Sequence, residues 1–342
     1  MDRWSVVHDM VKPVNPTRLF SDELLDHYRQ QGDAPADSVI ASVAGESGRD
    51  GVSALMRWLG DTADYSVAAQ HPAVKAFLSN YAQLPDWADP RRMQTAMRFF
   101  QANAVTIGLT LGCYSLPYCY AGADGARVLW LSQRIHNDTR KRLEETGEWV
   151  FGVMKKRDWE TGKAVLRTLK IRLMHAAVRW FTLQSGQWDL SWGYPVNQED
   201  MAATNLAFSY IVLRGLRKTG SAVSETEEEA YLHHINVAGY LLGVSDELLP
   251  NNLREAFHLE RSIARRQFRP SEQGTGLTRS LLTALENLSP PALRNLPAAQ
   301  MRFFLGDELA DLLHIPAVTL ETRLVGLANT LPIFPKLLNY TP

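Results

Sequence analysis

Cysteine is nearly absent, with only Cys113 and Cys119 in 342 residues. Two thiols exclude a disulfide framework, and without CxxC or Cys/His spacing they also exclude a zinc module, so buried free thiols are expected. Charge of one sign is lacking too. Lys and Arg number 36 against 37 Asp and Glu, for a net charge of −1. With no long basic or acidic run, the chain carries no electrostatic footprint for nucleic acid. Long hydrophobic runs are missing as well. The most apolar stretch, residues 104–121, is broken by Thr106, Thr110, Ser115 and Pro117 and falls short of the roughly 18 apolar residues of a membrane span. It reads as the end of a core helix that stops near Pro117, with peripheral membrane contact left open. The N-terminus has no apolar core and no small-residue cleavage site, so no secretory signal is expected and the expected compartment is the cytoplasm. GxSxG, Walker, GxGxxG and HExxH patterns are all absent, which removes the usual marks of hydrolase, nucleotide-binding and zincin chemistry.

What is present is helical period, without a convincing run of alternating strand residues. Ser21 before Asp22 and Glu23 predicts a capped helix ending near Gly32. Helices are predicted near 36–44, 51–60 and 72–82, then a long one from Asp89-Pro90 to about Tyr114. More follow near 125–136 and 138–156, from Gly162 to about Leu183, and from the Asn197 cap to about Lys218. The last are expected from Ser224 to Gly243 and near 251–268, 276–286, 290–304, 305–313 and 318–328. The aromatic-rich stretch 184–197 reads as a packed loop, and 268–276 as a short linker. The expectation is one all-α, multi-helix globular domain: a helical extension over 1–45, a core over 46–268, and a C-terminal helical region over 269–342 packed on that core.

One helix stands out. From Ile171 to Leu183, nine of thirteen residues are apolar, and the polar ones are Arg172, His175, Arg179 and Thr182. At about 100° per residue these four fall within an arc of roughly 80°. A narrow solvent stripe would explain such an arc. Two features argue for a specific site instead: the arc holds two arginines and a histidine with no acid among them, and Ala176 and Ala177 leave room beside His175. Buried arginines need anionic partners. A haem would supply iron for the imidazole and propionates for the guanidinium groups; internal Asp or Glu would serve the arginines equally well. Spacing alone does not separate these options.

The string Arg172-Leu-Met-His175-Ala-Ala-Val-Arg179 resembles the signature of the latex-clearing protein and MpaB-type oxygenases. Other pieces match in order: Gly32-Asp33 with Ala36-Asp37; Arg142 followed by Leu143-Glu144-Glu145-Thr146; and Gly193-Tyr194-Pro195-Val196-Asn197 through Asp200, with Phe208-Ser209 beyond. The resemblance implies an all-α fold around a buried b-type haem pocket, with His175 as axial ligand to the iron. Arg172 and Arg179 would flank that ligand as cofactor-binding residues, and Arg142 and Thr146 would lie near the pocket. Family members use dioxygen to cleave double bonds in isoprenoid chains. Where some of those enzymes carry a lysine before the threonine, this chain has Glu145.

The function so implied is a haem b-dependent oxygenase acting with dioxygen on a small apolar, isoprenoid or unsaturated lipid-like substrate. Thr146 would donate a hydrogen bond near bound oxygen, unless its hydroxyl is spent on a helix carbonyl. Glu145 would accept an allylic proton, and Arg142 would meet a propionate. Ile107, Leu109 and Leu111 would line an apolar tunnel or pack in the core. Two alternatives stand beside this reading. One is a helical haem or lipid carrier without turnover. The other is a non-haem di-iron oxidase built on Glu255-Ala-Phe-His258, which would need a second Glu-x-x-His that the sequence lacks. His233-His234, about 100° apart on one helix, suit surface or interhelical partners better than one shared ion.

Overall fold

The computed structural model describes residues 18–132 and 139–318, and among them the regular structure is helical. The elements that matter run α1 (Asp22–Arg29), α2 (Ala34–Gly60), α3 (Pro72–Asn80), α4 (Pro90–Thr110), a π turn (Leu111–Ser115), α5 (Leu116–Tyr120) and α6 (Ala123–Leu131). They continue with α7 (Thr139–Val153), α8 (Lys156–Glu160), α9 (Lys163–Gln184), α10 (Gln198–Phe208), α11 (Tyr210–Lys218), α12 (Glu225–Leu241) and α13 (Leu253–Gln267). α14 (Glu272–Leu288), α15 (Leu296–Leu305) and α16 (Asp307–Leu312) close the described part. The helix predicted near 318–328 lies outside the described residues.

Most boundaries follow local chemistry. Asp89 accepts from the backbone of Arg91 and Arg92 ahead of Pro90, and Ser224 forms a reciprocal capping box with Glu227. Departures from the expected helices have causes that period alone does not carry. The two helices expected between 36 and 60 are one run, α2, kinked at Gly48, whose φ of 61° only glycine adopts easily. The helix expected to stop near Pro117 instead widens into the π turn and resumes as α5, because Pro117 is accepted in the first turn of a new helix. The helix from the Asn197 cap is broken at Ser209 (φ −109°, ψ −84°) into α10 and α11. Carbonyls near that break find other partners: Ala207 accepts from Ser115 Oγ at 2.7 Å and Phe208 from Tyr231 at 3.0 Å. Phe268, expected to begin a linker, forms an isolated antiparallel bridge with Gly122.

α9 and α2 pack along their length, burying Leu169, Leu173, Ala176 and Ala177 of α9 against Ala36, Val39, Ile40 and Val43 of α2. Ala176 and Ala177 are therefore small so that two helices can approach closely, not to admit a flat ligand. A second brace is ionic. Arg29 of α1, 7% exposed, reaches Glu199 (3.0 Å) and Asp200 (3.2 Å) of α10 and Asp124 (3.3 Å) of α6. Arg266 of α13 meets the other oxygen of Glu199 at 2.8 Å. This network ties four helices around one side of the interior.

Candidate functional site

α9 begins after Gly162, whose φ of 74° ends the preceding turn, and ends before Gly186 at φ 69°. Its surroundings sort the side chains into three faces. One packs on α2. A second, carrying Arg167, Lys170, Ile171, Met174, His175 and Val178, lines a cavity of about 380 Å³, a size within the usual range for small-molecule sites. The third carries Arg172 and Arg179. His175 stands at the seam between the cavity face and the arginine face.

Both arginines are buried and paired with acids, although Nη2 of Arg179 has no hydrogen-bond partner. Arg172 grips Asp33 with two bonds, Nε to Oδ2 at 2.6 Å and Nη2 to Oδ1 at 2.9 Å. Its guanidinium also lies 4.8 Å over the Tyr81 ring. Arg179, 2% exposed, bonds Asp37 Oδ1 through Nε at 2.7 Å and the Val196 carbonyl through Nη1 at 3.2 Å. Of the two supplies of negative charge that the sequence left open, internal carboxylates are the one present for both arginines, and neither arginine lines the cavity. The solvent-stripe explanation falls with the same observation.

The early Gly-Asp element explains its own composition. Asp33 caps α2, accepting from Ala36, while its amide donates to Asp37. A Cβ on Gly32 would lie 2.7 Å from the Tyr194 ring. Gly243, at φ 87°, leaves space that a Cβ would fill 2.4 Å from Asp33 Oδ2. Val196 is held at φ 50°, a conformation costly for a β-branched residue. It thereby offers its carbonyl to Arg179 and stands on the cavity wall. Three segments far apart in sequence, around residues 33, 175 and 196, thus lock together behind His175.

His175 itself is unusual chemically. Its Nδ1 is buried without a hydrogen-bond partner, and the residue lines the cavity. Burial, with Arg179 and Arg142 adding repulsion and Asp33 opposing them, pushes its pKa down to about 4. The imidazole is neutral at any ordinary working pH.

Across the cavity α7 contributes Arg142, Glu145 and Thr146, all half-buried and all on the wall. The helix expected over 138–156 begins at Thr139 and places Arg142 on the cavity wall. Of the three apolar residues expected on a tunnel, Leu111 lines the cavity through the π turn, while Ile107 and Leu109 pack in the core. Cys119 is on the wall and Cys113 is buried, both as free thiols.

Two residues that sequence reasoning passed over belong to the same cavity: Tyr118 on α5 and Glu260 on α13. Nothing in the string around Glu260 marks it, since it is one of two acids on a helix rich in charge. The other metal-like patterns resolve into ordinary packing. Glu255 pairs with Arg18 at 2.8 Å, and no group of three or more His, Cys, Asp or Glu suited to a metal ion occurs among the described residues. His233 and His234 are both buried, so the surface option is wrong for them and the interhelical one correct. His233 Nε2 accepts from the Asp89 amide at 2.9 Å, and His234 Nε2 meets the Val153 carbonyl at 2.7 Å. No described helix is long and apolar enough to cross a membrane.

Comparison with known proteins places this architecture. The solved structure of latex clearing protein LCP in the closed state shares the fold at a TM-score of 0.76, over 92% of this chain and 86% of that one, with 24% identity. The rubber oxygenase of Streptomyces sp. (strain K30) is 26% identical over 305 residues, covering 86% of this chain and 74% of that protein. The class is thereby defined as an all-α oxidoreductase of the oxygenase type. Within it, the family described as ER-bound oxygenase mpaB/B'/Rubber oxygenase, catalytic domain, matches residues 117–333, and this chain belongs to that family.

Proposed function

We propose that this enzyme is a haem b-dependent oxygenase that uses dioxygen on an unsaturated apolar chain of the isoprenoid kind, with His175 as the iron ligand. The observation that carries the reading is the neutral imidazole of His175, with Nδ1 buried and unpartnered, on the wall of a deep and mainly apolar cavity. A neutral imidazole on such a wall can ligate a metal cofactor. The residues fit the group in other respects. Arg142 is a cation on the wall that can meet the carboxylates of a porphyrin, whereas Arg172 and Arg179 hold the ligand helix in place through Asp33 and Asp37. The names of the relatives, a rubber oxygenase and a latex clearing protein, support the choice of substrate class.

When bound there, haem b would supply the activation of dioxygen. The chain's own residues do the rest. Ile171, Met174, Val178 and Leu111 hold an apolar chain and exclude water. The hydroxyl of Thr146, on the cavity wall, would donate a hydrogen bond near bound oxygen. Glu145 takes up the proton released from the substrate's allylic carbon.

Protein produced with ample haem is expected to carry stoichiometric haem and, once reduced, to consume dioxygen in the presence of dispersed squalene while carbonyl products accumulate. An oxygen electrode with carbonyl derivatisation checks this. Haem-loaded protein that binds squalene yet consumes no dioxygen would instead indicate a carrier without turnover.

A further inference from the structure

We propose that Glu260 and Tyr118 form a polar anchor in the cavity wall that binds the hydroxyl end of an unsaturated isoprenoid alcohol. The inference rests on reading this cavity as the substrate chamber, and it narrows the substrate from a pure hydrocarbon to an amphipathic one. Glu260 is 7% exposed and lines the cavity from α13, with Ile263 and Phe268 as apolar neighbours on the same wall. Its Oε1 is engaged by the Tyr118 hydroxyl and by Nη1 of Arg214 at 3.3 Å. Among the described residues none donates to Oε2. The Tyr118 ring is fixed edge-on against Phe268, centroids 4.7 Å apart, so the pair is held in place before any ligand arrives.

A carboxyl oxygen in this position is expensive when a ligand expels its water without replacing the hydrogen bond. A hydrocarbon chain does that. A chain ending in a hydroxyl donates to Oε2 and removes the penalty. The groups that face the carboxyl are Tyr118 of α5, Arg214 of α11, Tyr114 of the π turn and the adjacent Arg261. Burial raises Glu260 to about 7 against the pull of Arg261. In either protonation state the carboxyl retains an oxygen able to accept from an alcohol. The anchor stands on α5 and α13, apart from the His175 helix, so it can hold one end of a chain without occupying the imidazole's place.

Isothermal titration of the full chain, both haem-free and haem-loaded, with farnesol and with β-farnesene separates the possibilities. Wild type is expected to bind the alcohol about tenfold more tightly than the hydrocarbon, the worth of one hydrogen bond to a carboxyl group. Glu260→Leu should bring that ratio to about one, mainly by tightening the hydrocarbon, which no longer desolvates a carboxyl oxygen. Tyr118→Phe, which keeps the ring's volume, should lower the ratio part-way and serves if the leucine variant does not fold. Equal affinities in wild type, or a preference that survives both substitutions, would overturn the anchor. Failure of haem uptake with the alcohol preference intact would count against the cofactor reading alone.

Discussion

Haem-free protein is expected to lose stability steeply between pH 6.5 and pH 4. Three buried imidazoles, His175, His233 and His234, each have a pKa pushed down to about 4 by burial. The unfolded chain binds protons near pH 6.5, whereas the folded chain resists until near pH 4. Stability is therefore complete above the unfolded value and falls as pH drops toward the folded one. His234 is wholly buried, and over that window its contribution is about 3 kcal/mol, with the other two acting in the same direction. The geometry supplies the reason. His233 uses Nε2 as an acceptor for the Asp89 amide, which protonation abolishes. His234 has Nδ1 buried without a partner, so a second proton there meets no acceptor. Urea unfolding at stepped pH should show the midpoint dropping below pH 6.5, and His234→Gln should flatten the slope. A midpoint unchanged from pH 7 to pH 4.5 would contradict the burial of these rings.

Arg172→Ala is expected to destabilise the haem-free protein by about 3–5 kcal/mol, because it strands the Asp33 carboxylate in a buried site. Both oxygens of Asp33 serve Arg172, and Asp33 is 6% exposed. Truncation also removes the cation stacked on Tyr81. Adding Asp33→Asn retains the cap of α2, since Asn caps nearly as well as Asp, and removes the charge. The double variant Asp33→Asn, Arg172→Met should accordingly recover most of the loss. Chemical denaturation of the single and double variants measures the coupling. If the double variant is no more stable than Arg172→Ala, the pair is not an isolated buried bridge.

The helical class and most helix ends were legible because caps and period are local. Asp89-Pro90 and Ser224 with Glu227 announce helices within a few residues of sequence. The π turn, the break at Ser209 and the kink at Gly48 were not legible, because each depends on what a distant carbonyl or helix offers in return. At the site, His175 and its two arginines were visible from the composition of one helix face. What that face could not reveal was the identity of the anions. Asp33 and Asp37 sit some 140 residues upstream, and helical period carries no information across such a distance. The same limit explains Ala176 and Ala177, small because α2 lies against them, a reason one helix cannot express. Glu260 was invisible for a simpler cause. An acid on an amphipathic helix looks the same whether it faces water or a cavity.

Titration of the haem-free chain with hemin, followed through the Soret band, tests the central claim most directly. Wild type should saturate at equimolar hemin with a sharp, shifted band. His175→Ala should bind at least tenfold more weakly, and added imidazole should restore the wild-type spectrum by filling the vacated place. Identical spectra and affinities for wild type and His175→Ala would show that this imidazole does not hold the cofactor.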